Sequence, residues 1–187
     1  MSVELLQRVV NETTRVVDSV TPDQLGNGTP CTDWNVRDII NHITGGSTMF
    51  AISAEQGKVP DEQLGELMGG DNLGDDYKGA WGAAAKHAMS AFDGLDLSKM
   101  VTLPFGEMPA GVALNIAIFD VATHACDIAQ STGQEIGDTD LLETALAFGK
   151  QMIGPELRMP GVFGPEQPCA SDAPVTQRLF AFSGRTV

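Results

Sequence analysis

Positive charge is scarce in this sequence. Its 187 residues include 11 Lys and Arg against 25 Asp and Glu, a formal net charge of -14. That surplus repels nucleic-acid backbones and anionic lipid headgroups, so the expected partner is a small molecule rather than a nucleic acid or a membrane. Cysteine is also scarce. Cys31, Cys126 and Cys169 are too few and too scattered for a disulfide framework or a cysteine-based zinc site. Such a set suits a reducing interior, and the expected location is the cytoplasm. Aromatic residues make up only 6% of the chain while Ala and Gly abound, which favours closely packed helices over an aromatic-rich β-sandwich. No apolar run is expected to reach the roughly 18 residues that span a bilayer. The opening "MSVELLQRVVNETTRVV" brings in Glu and Arg early, as an amphipathic helix does and a signal peptide does not.

What is present is 42% apolar and 19% charged, the composition of a soluble globular chain with enough material for a core. The length asks for one domain, 1–187. Residues 2–19 place Leu5, Val9, Val16 and Val17 at helical spacing. Asn35 reads as the N-cap of a second helix, with Asp38 completing a capping box and Val36, Ile39, Ile40 and Ile43 forming its apolar stripe to about residue 55. The glycine- and acid-rich stretch 57–74 reads as loop. A small-residue helix follows, spacing Trp81, Ala85, Ala88 and Phe92 toward a core. "MVTLPFGEMPAG" reads as a short extended connection. Residues 110–132 form a long helix ended by Gly133, and a fifth helix covers roughly 139–153. An irregular arm and the short helix "VTQRLFAFSG" close the chain. The fold class is all-α: a four-helix bundle with one long crossover loop, extra C-terminal helices and an irregular arm.

The long helix carries the chemistry. Asp120 and His124 lie one turn apart on one face, and Asp127 flanks them. The helix is apolar nearly all round and is therefore expected to be buried. A buried carboxylate must be paired, neutralised or metal-bound. Between Lys99 and Lys150 there is no Lys or Arg, so a divalent cation is the economical explanation, with a partner from another helix the alternative. A third ligand must come from elsewhere, and the chain has two more histidines. His42 lies on the second helix beside Gly45 and Gly46, which suit close packing or ligand entry. Asp38, one turn before it, is placed to accept its second ring N–H, and Asp127 is the other candidate to back a ligand. His87 falls off its helix's apolar stripe and reads as surface or boundary. Cys126 reads as a small buried apolar residue rather than a nucleophile. The plain alternative is that Asp120 and His124 are a buried polar pair, with Asp38 only a cap.

"TPCTDWNVRDIINHITGG", followed far downstream by "DVATHACDIAQSTGQ", resembles the DinB/YfiT-like metal-binding bundles. More closely, it resembles the N-terminal domain of mycothiol-dependent maleylpyruvate isomerases and their small actinobacterial relatives. The resemblance runs over most of the chain, including "DAPVTQRLFAFSGR". It implies a four-helix bundle holding a divalent metal, usually zinc, on His42, Asp120 and His124. Two departures stand out: the family reference has Glu where this chain has the shorter Asp120, and many relatives have Trp at the position of Cys126. The reference also carries a C-terminal domain, for which the 54 residues after Gly133 are too few. The resemblance therefore does not extend to maleylpyruvate isomerisation itself.

The expected function is a metal-dependent transferase or isomerase. Mycothiol or a similar low-molecular-weight thiol would supply the nucleophile and a small electrophile would be the substrate. No activated Ser or Cys is needed, and no triad pattern is present. The rival enzyme reading is a metal-dependent hydrolase or amidase with Asp127 as general base. A non-catalytic metal- or small-ligand-binding bundle is the reading from another class. Related bundles often dimerise, so a homodimer is among the expected states.

Overall fold

The computed structural model describes residues 3–158 and 163–186. Seven α-helices dominate these residues: α1 (Val3–Ser19), α2 (Val36–Gln56), α3 (Asp61–Gly69), α4 (Tyr77–Phe92), α5 (Ala110–Ser131), α6 (Thr139–Met152) and α7 (Val175–Phe182). A hairpin of β1 (Met100–Leu103) and β2 (Gly106–Pro109) precedes α5. The four long helices α1, α2, α4 and α5 form the bundle. Both α1 and α2 pack against α4 and α5, which sets α1 diagonally opposite α2 and α4 diagonally opposite α5. Helix α6 lies on the outside of α5, and α7 packs on both.

Local chemistry accounts for the elements. α2 starts at a capping box: the Asn35 side chain accepts from the Asp38 N–H at 2.9 Å, and Asp38 Oδ2 accepts from the Asn35 N–H at 3.0 Å. α5 ends in a Schellman turn, where Gly133 takes φ 70 and the Gln134 N–H reaches the Ala129 carbonyl at 2.8 Å. The stripes meet as the spacing predicts, with Val9, Val16, Val17, Ile39, Ile40, Ile43, Trp81, Phe92, Leu114 and Ile118 all buried. Polar tips of the α4 aromatics are satisfied across the bundle: Tyr77 donates to the Val20 carbonyl at 2.7 Å and the Trp81 indole donates to Thr14 Oγ1 at 3.0 Å.

Three expectations change. Residues 57–74 are not wholly loop, because Asp61–Gly69 winds into α3, a helix with no buried residue. It is held by Asn72 and by a close approach to α2: a Cβ at Gly45 would lie 2.2 Å from the Leu67 carbonyl oxygen. That segment joins the neighbours α2 and α4. The crossings over the ends of the bundle are made by residues 20–35 and by the segment containing the hairpin. The extended connection at 100–109 is a paired ladder, docked on the end of α2 by the Thr102 N–H to the Gly57 carbonyl at 2.7 Å. α5 is in fact long and apolar enough to cross a membrane, with mean hydropathy 1.4 over its best window, yet 78% of that window is buried inside the bundle. Its apolarity serves the core. The irregular arm is present as a 3-10 turn at Pro155–Leu157 and a stretch without regular structure from Phe163 to residue 170, and residues 159–162 fall outside the description.

Candidate metal centre

His42 lies two turns into α2, where the Asn35 cap fixes the helix start. Asp120 and His124 lie on consecutive turns of α5, which packs against α2. The packing brings all three together. His42 Nε2 stands 3.3 Å from Asp120 Oδ1, and His124 Nε2 stands 3.6 Å from the same oxygen. The two imidazoles meet edge to face with centroids 4.9 Å apart. One ligand atom from each residue lies within 4.8 Å of the others. Gly46, one turn past His42, leaves room beside the carboxylate, since a Cβ there would touch Asp120 Oδ2 at 4.0 Å. Gly45 serves packing against α3 instead.

The segment 25–35 covers the cluster. It is tied to the end of α5 by Asn27 Nδ2 to the Ser131 carbonyl at 2.9 Å, and to α2 by the Val36 and Arg37 N–H groups, each at 3.0 Å. It lays the Trp34 indole against His42, with centroids 4.6 Å apart, and against His124 at 5.6 Å. Cys31 lies close enough to feel the charges of Arg185, Asp127 and Asp120, but burial dominates and pushes its thiol up. Cys126 is buried as expected, and burial pushes its thiol up to about 12. His87 is a boundary residue held by Glu55.

Asp127 is 0% exposed and fully engaged. Oδ1 accepts from Arg185 Nε at 2.9 Å, while Oδ2 accepts from Arg185 Nη2 at 2.6 Å and faces His124 Nδ1 at 2.9 Å. No exposed lone pair is left for an attacking water. Asp38 proves to be an exposed cap, so Asp127 rather than Asp38 supports a ring nitrogen of the site. Arg185 was not anticipated. The cation missing from α5 comes from 58 residues downstream, which removes the need for a metal at Asp127. The signal available was a lone Arg in the closing "SGR" of an acid-rich chain.

The electrostatics divide accordingly. Burial opposes ionisation of Asp120, but the charge and hydrogen bond of His42, with His124 and Arg185 behind them, hold its pKa down to about 2. Burial likewise disfavours the His42 cation, yet Asp120 outweighs it and raises the imidazole. For Asp127 the opposing burial is overcome chiefly by the Arg185 and His124 hydrogen bonds, and its carboxyl stays below the ordinary range. Two imidazole nitrogens and one carboxylate oxygen, converging with one ring nitrogen already backed by a carboxylate, form a donor set that fits a first-row divalent metal with an open position.

Bundle and cluster together define a DinB-like helical protein with an inward-facing His–Asp–His set. Residues 6–129 match the family described as Mycothiol maleylpyruvate isomerase N-terminal domain, and the chain belongs to that family. Two uncharacterized proteins of Mycobacterium tuberculosis, from two strains, are each 35% identical to it over 183 residues, covering 97% of this chain and 96% of theirs. The crystal structure of the mycothiol-dependent maleylpyruvate isomerase superposes with TM-score 0.62 at 19% identity. A mutant of it with one histidine replaced by alanine gives 0.63 at 18%. Both alignments cover 78% of this chain and 65% of the isomerase chain, so the chain spans just under two thirds of that protein's length.

Proposed function

We propose that this protein binds a divalent metal, zinc by preference, and uses mycothiol or a similar low-molecular-weight thiol to act on a small electrophile as a transferase or isomerase. The observation that carries the reading is the convergence of His42, Asp120 and His124 within 4.8 Å in a member of this family. These three side chains would hold the metal. When bound, it supplies the Lewis acidity that keeps a coordinated thiol ionised at neutral pH.

The chain's own residues prepare that site. Asp127 orients the His124 ring, Trp34 shields one side of both imidazoles from water, and Gly46 keeps space open beside Asp120. Cys31 and Cys126, both with raised thiol pKa, stay protonated and do not compete as nucleophiles. An external thiolate would add to the electrophilic carbon as a π electron pair of the substrate moves onto the adjoining atoms. Protonation there completes an addition, loss of a leaving group with the electron pair completes a substitution, and rotation followed by re-expulsion of the thiolate completes a cis–trans isomerisation. The work belongs in a reducing interior, where the three free cysteines persist as thiols. Hydrolysis is the weaker reading because Asp127, the acid behind His124, is buried and held by three contacts, which leaves no exposed lone pair to activate water.

Elemental mass spectrometry on protein purified without chelator or affinity histidines tests this, beside a His124→Ala control. Near-stoichiometric zinc, lost in the control, followed by turnover that requires added thiol, is the expected result. Metal-free protein that also refuses added zinc, nickel and iron would reduce the cluster to a buried polar group.

A further inference from the structure

How His124 presents its nitrogens is decided by groups behind it. Nδ1 lies 2.9 Å from Asp127 Oδ2 and 3.4 Å from Arg185 Nη2. A carboxylate only accepts and a guanidinium only donates. With its hydrogen on Nδ1, the ring donates to Oδ2 over the short distance and leaves a lone pair on Nε2, which faces Asp120 and the His42 ring. With the hydrogen on Nε2, Nδ1 would oppose the carboxylate lone pair to lone pair at 2.9 Å, against one long contact to the guanidinium. The first tautomer wins while Asp127 stays where it is, and the bidentate fork from Arg185, at 2.9 and 2.6 Å, keeps it there.

Arg185 reaches that place through a local device. α7 ends as α5 does, in a Schellman turn: Gly184 takes φ 88, and the Arg185 N–H returns to the Phe180 carbonyl at 2.9 Å. Gly184 also packs so closely on residue 164 that a Cβ would lie 2.6 Å from the Gly164 Cα. The reversal brings the guanidinium under α5. These residues lie outside the stretch 6–129 that the family description matches.

We infer that Arg185 is a positioning residue for His124: the segment after α7 supplies a guanidinium that fixes Asp127 and thereby keeps the Nε2 lone pair of His124 on the cluster. This rests on the metal-binding reading above. Two measurements on Arg185→Met beside the native protein test it: zinc affinity by competition with a chromophoric chelator, and the His124 ring tautomer of the zinc-free protein by long-range proton–nitrogen NMR above the imidazole range. Zinc affinity about 10- to 100-fold weaker, with the ring shifted from the Nδ1–H form toward a mixture, is expected. If the single variant does not fold, Arg185→Lys, which keeps a buried cation but loses the two-pronged hold on Asp127, takes the same two measurements, with affinity and tautomer expected to move in the same direction. Native affinity with an unchanged tautomer would make Arg185 a structural clasp and overturn the inference. Should the native protein itself take up no zinc, the metal reading falls while the ring tautomer still decides the role of Arg185.

Discussion

Asp120 and Asp127 sit two turns apart on α5 and have opposite surroundings. Asp127 is wholly buried and matched by a permanent cation in a bidentate pair, with His124 as a third partner. Asp120 has 29% of its side chain exposed and, among the described residues, is paired with imidazoles at the longer distances of 3.3 and 3.6 Å. One carboxylate is finished by the protein, while the other is left facing two imidazole nitrogens and a path to solvent. Buried acid alone therefore does not mark a ligand. The mark is an acid whose partners are imidazoles rather than a permanent cation.

The largest expected effect comes from breaking the finished pair. Arg185→Met strands the Asp127 charge and should cost about 3–5 kcal/mol, read as a fall in Tm of roughly 10 °C. Asp120→Ala should do the reverse, abolishing stoichiometric zinc in elemental analysis while leaving the fold in circular dichroism. Equal zinc in that variant would remove Asp120 from the ligand set. Asp127→Asn, which keeps shape but not charge, should weaken zinc by about 10- to 100-fold in chelator competition.

The pH response separates the two carboxylates further. Asp120, with a pKa near 2, stays ionised from pH 5 to 8, so protons compete with metal at the imidazoles. Because the His42 pKa is raised, zinc affinity should fall as pH drops through that value, by about tenfold per unit for one proton released on binding. A flat profile over this range would argue against His42 as a ligand. The smallest effect belongs to Asp38→Ala: about 0.5–1 kcal/mol from the lost reciprocal hydrogen bond of the capping box, seen in denaturant titration, with zinc content unchanged.

Much of this was legible in the sequence where short-range rules operate. Asn35 and Asp38 announce a helix start, Gly133 a helix end, and the Ile39–Ile40–Ile43 stripe a buried face. Each depends on neighbours within a turn or two. The Asp120–His124 pair is of the same kind, while its meeting with His42 needed either the packing of α2 on α5 or the family resemblance. α3 escaped because it buries nothing: its glycines break the pattern, and its place is set by Gly45 and Asn72 across the chain. Arg185 escaped for a related reason. Its partner is 58 residues away, and the turn that delivers it has the same sequence signal as any helix end. Periodicity records which face is apolar, not which distant cation arrives to neutralise it.

The chain has two tryptophans, and they occupy different worlds. Trp81 is sealed in the core, whereas Trp34 leans on both imidazoles of the cluster. A proton or a metal arriving on those rings changes the charge against the face of one indole and leaves the other unaware of it. The protein thus carries an optical gauge of its own site with an internal standard, and its emission can be read without attaching any label.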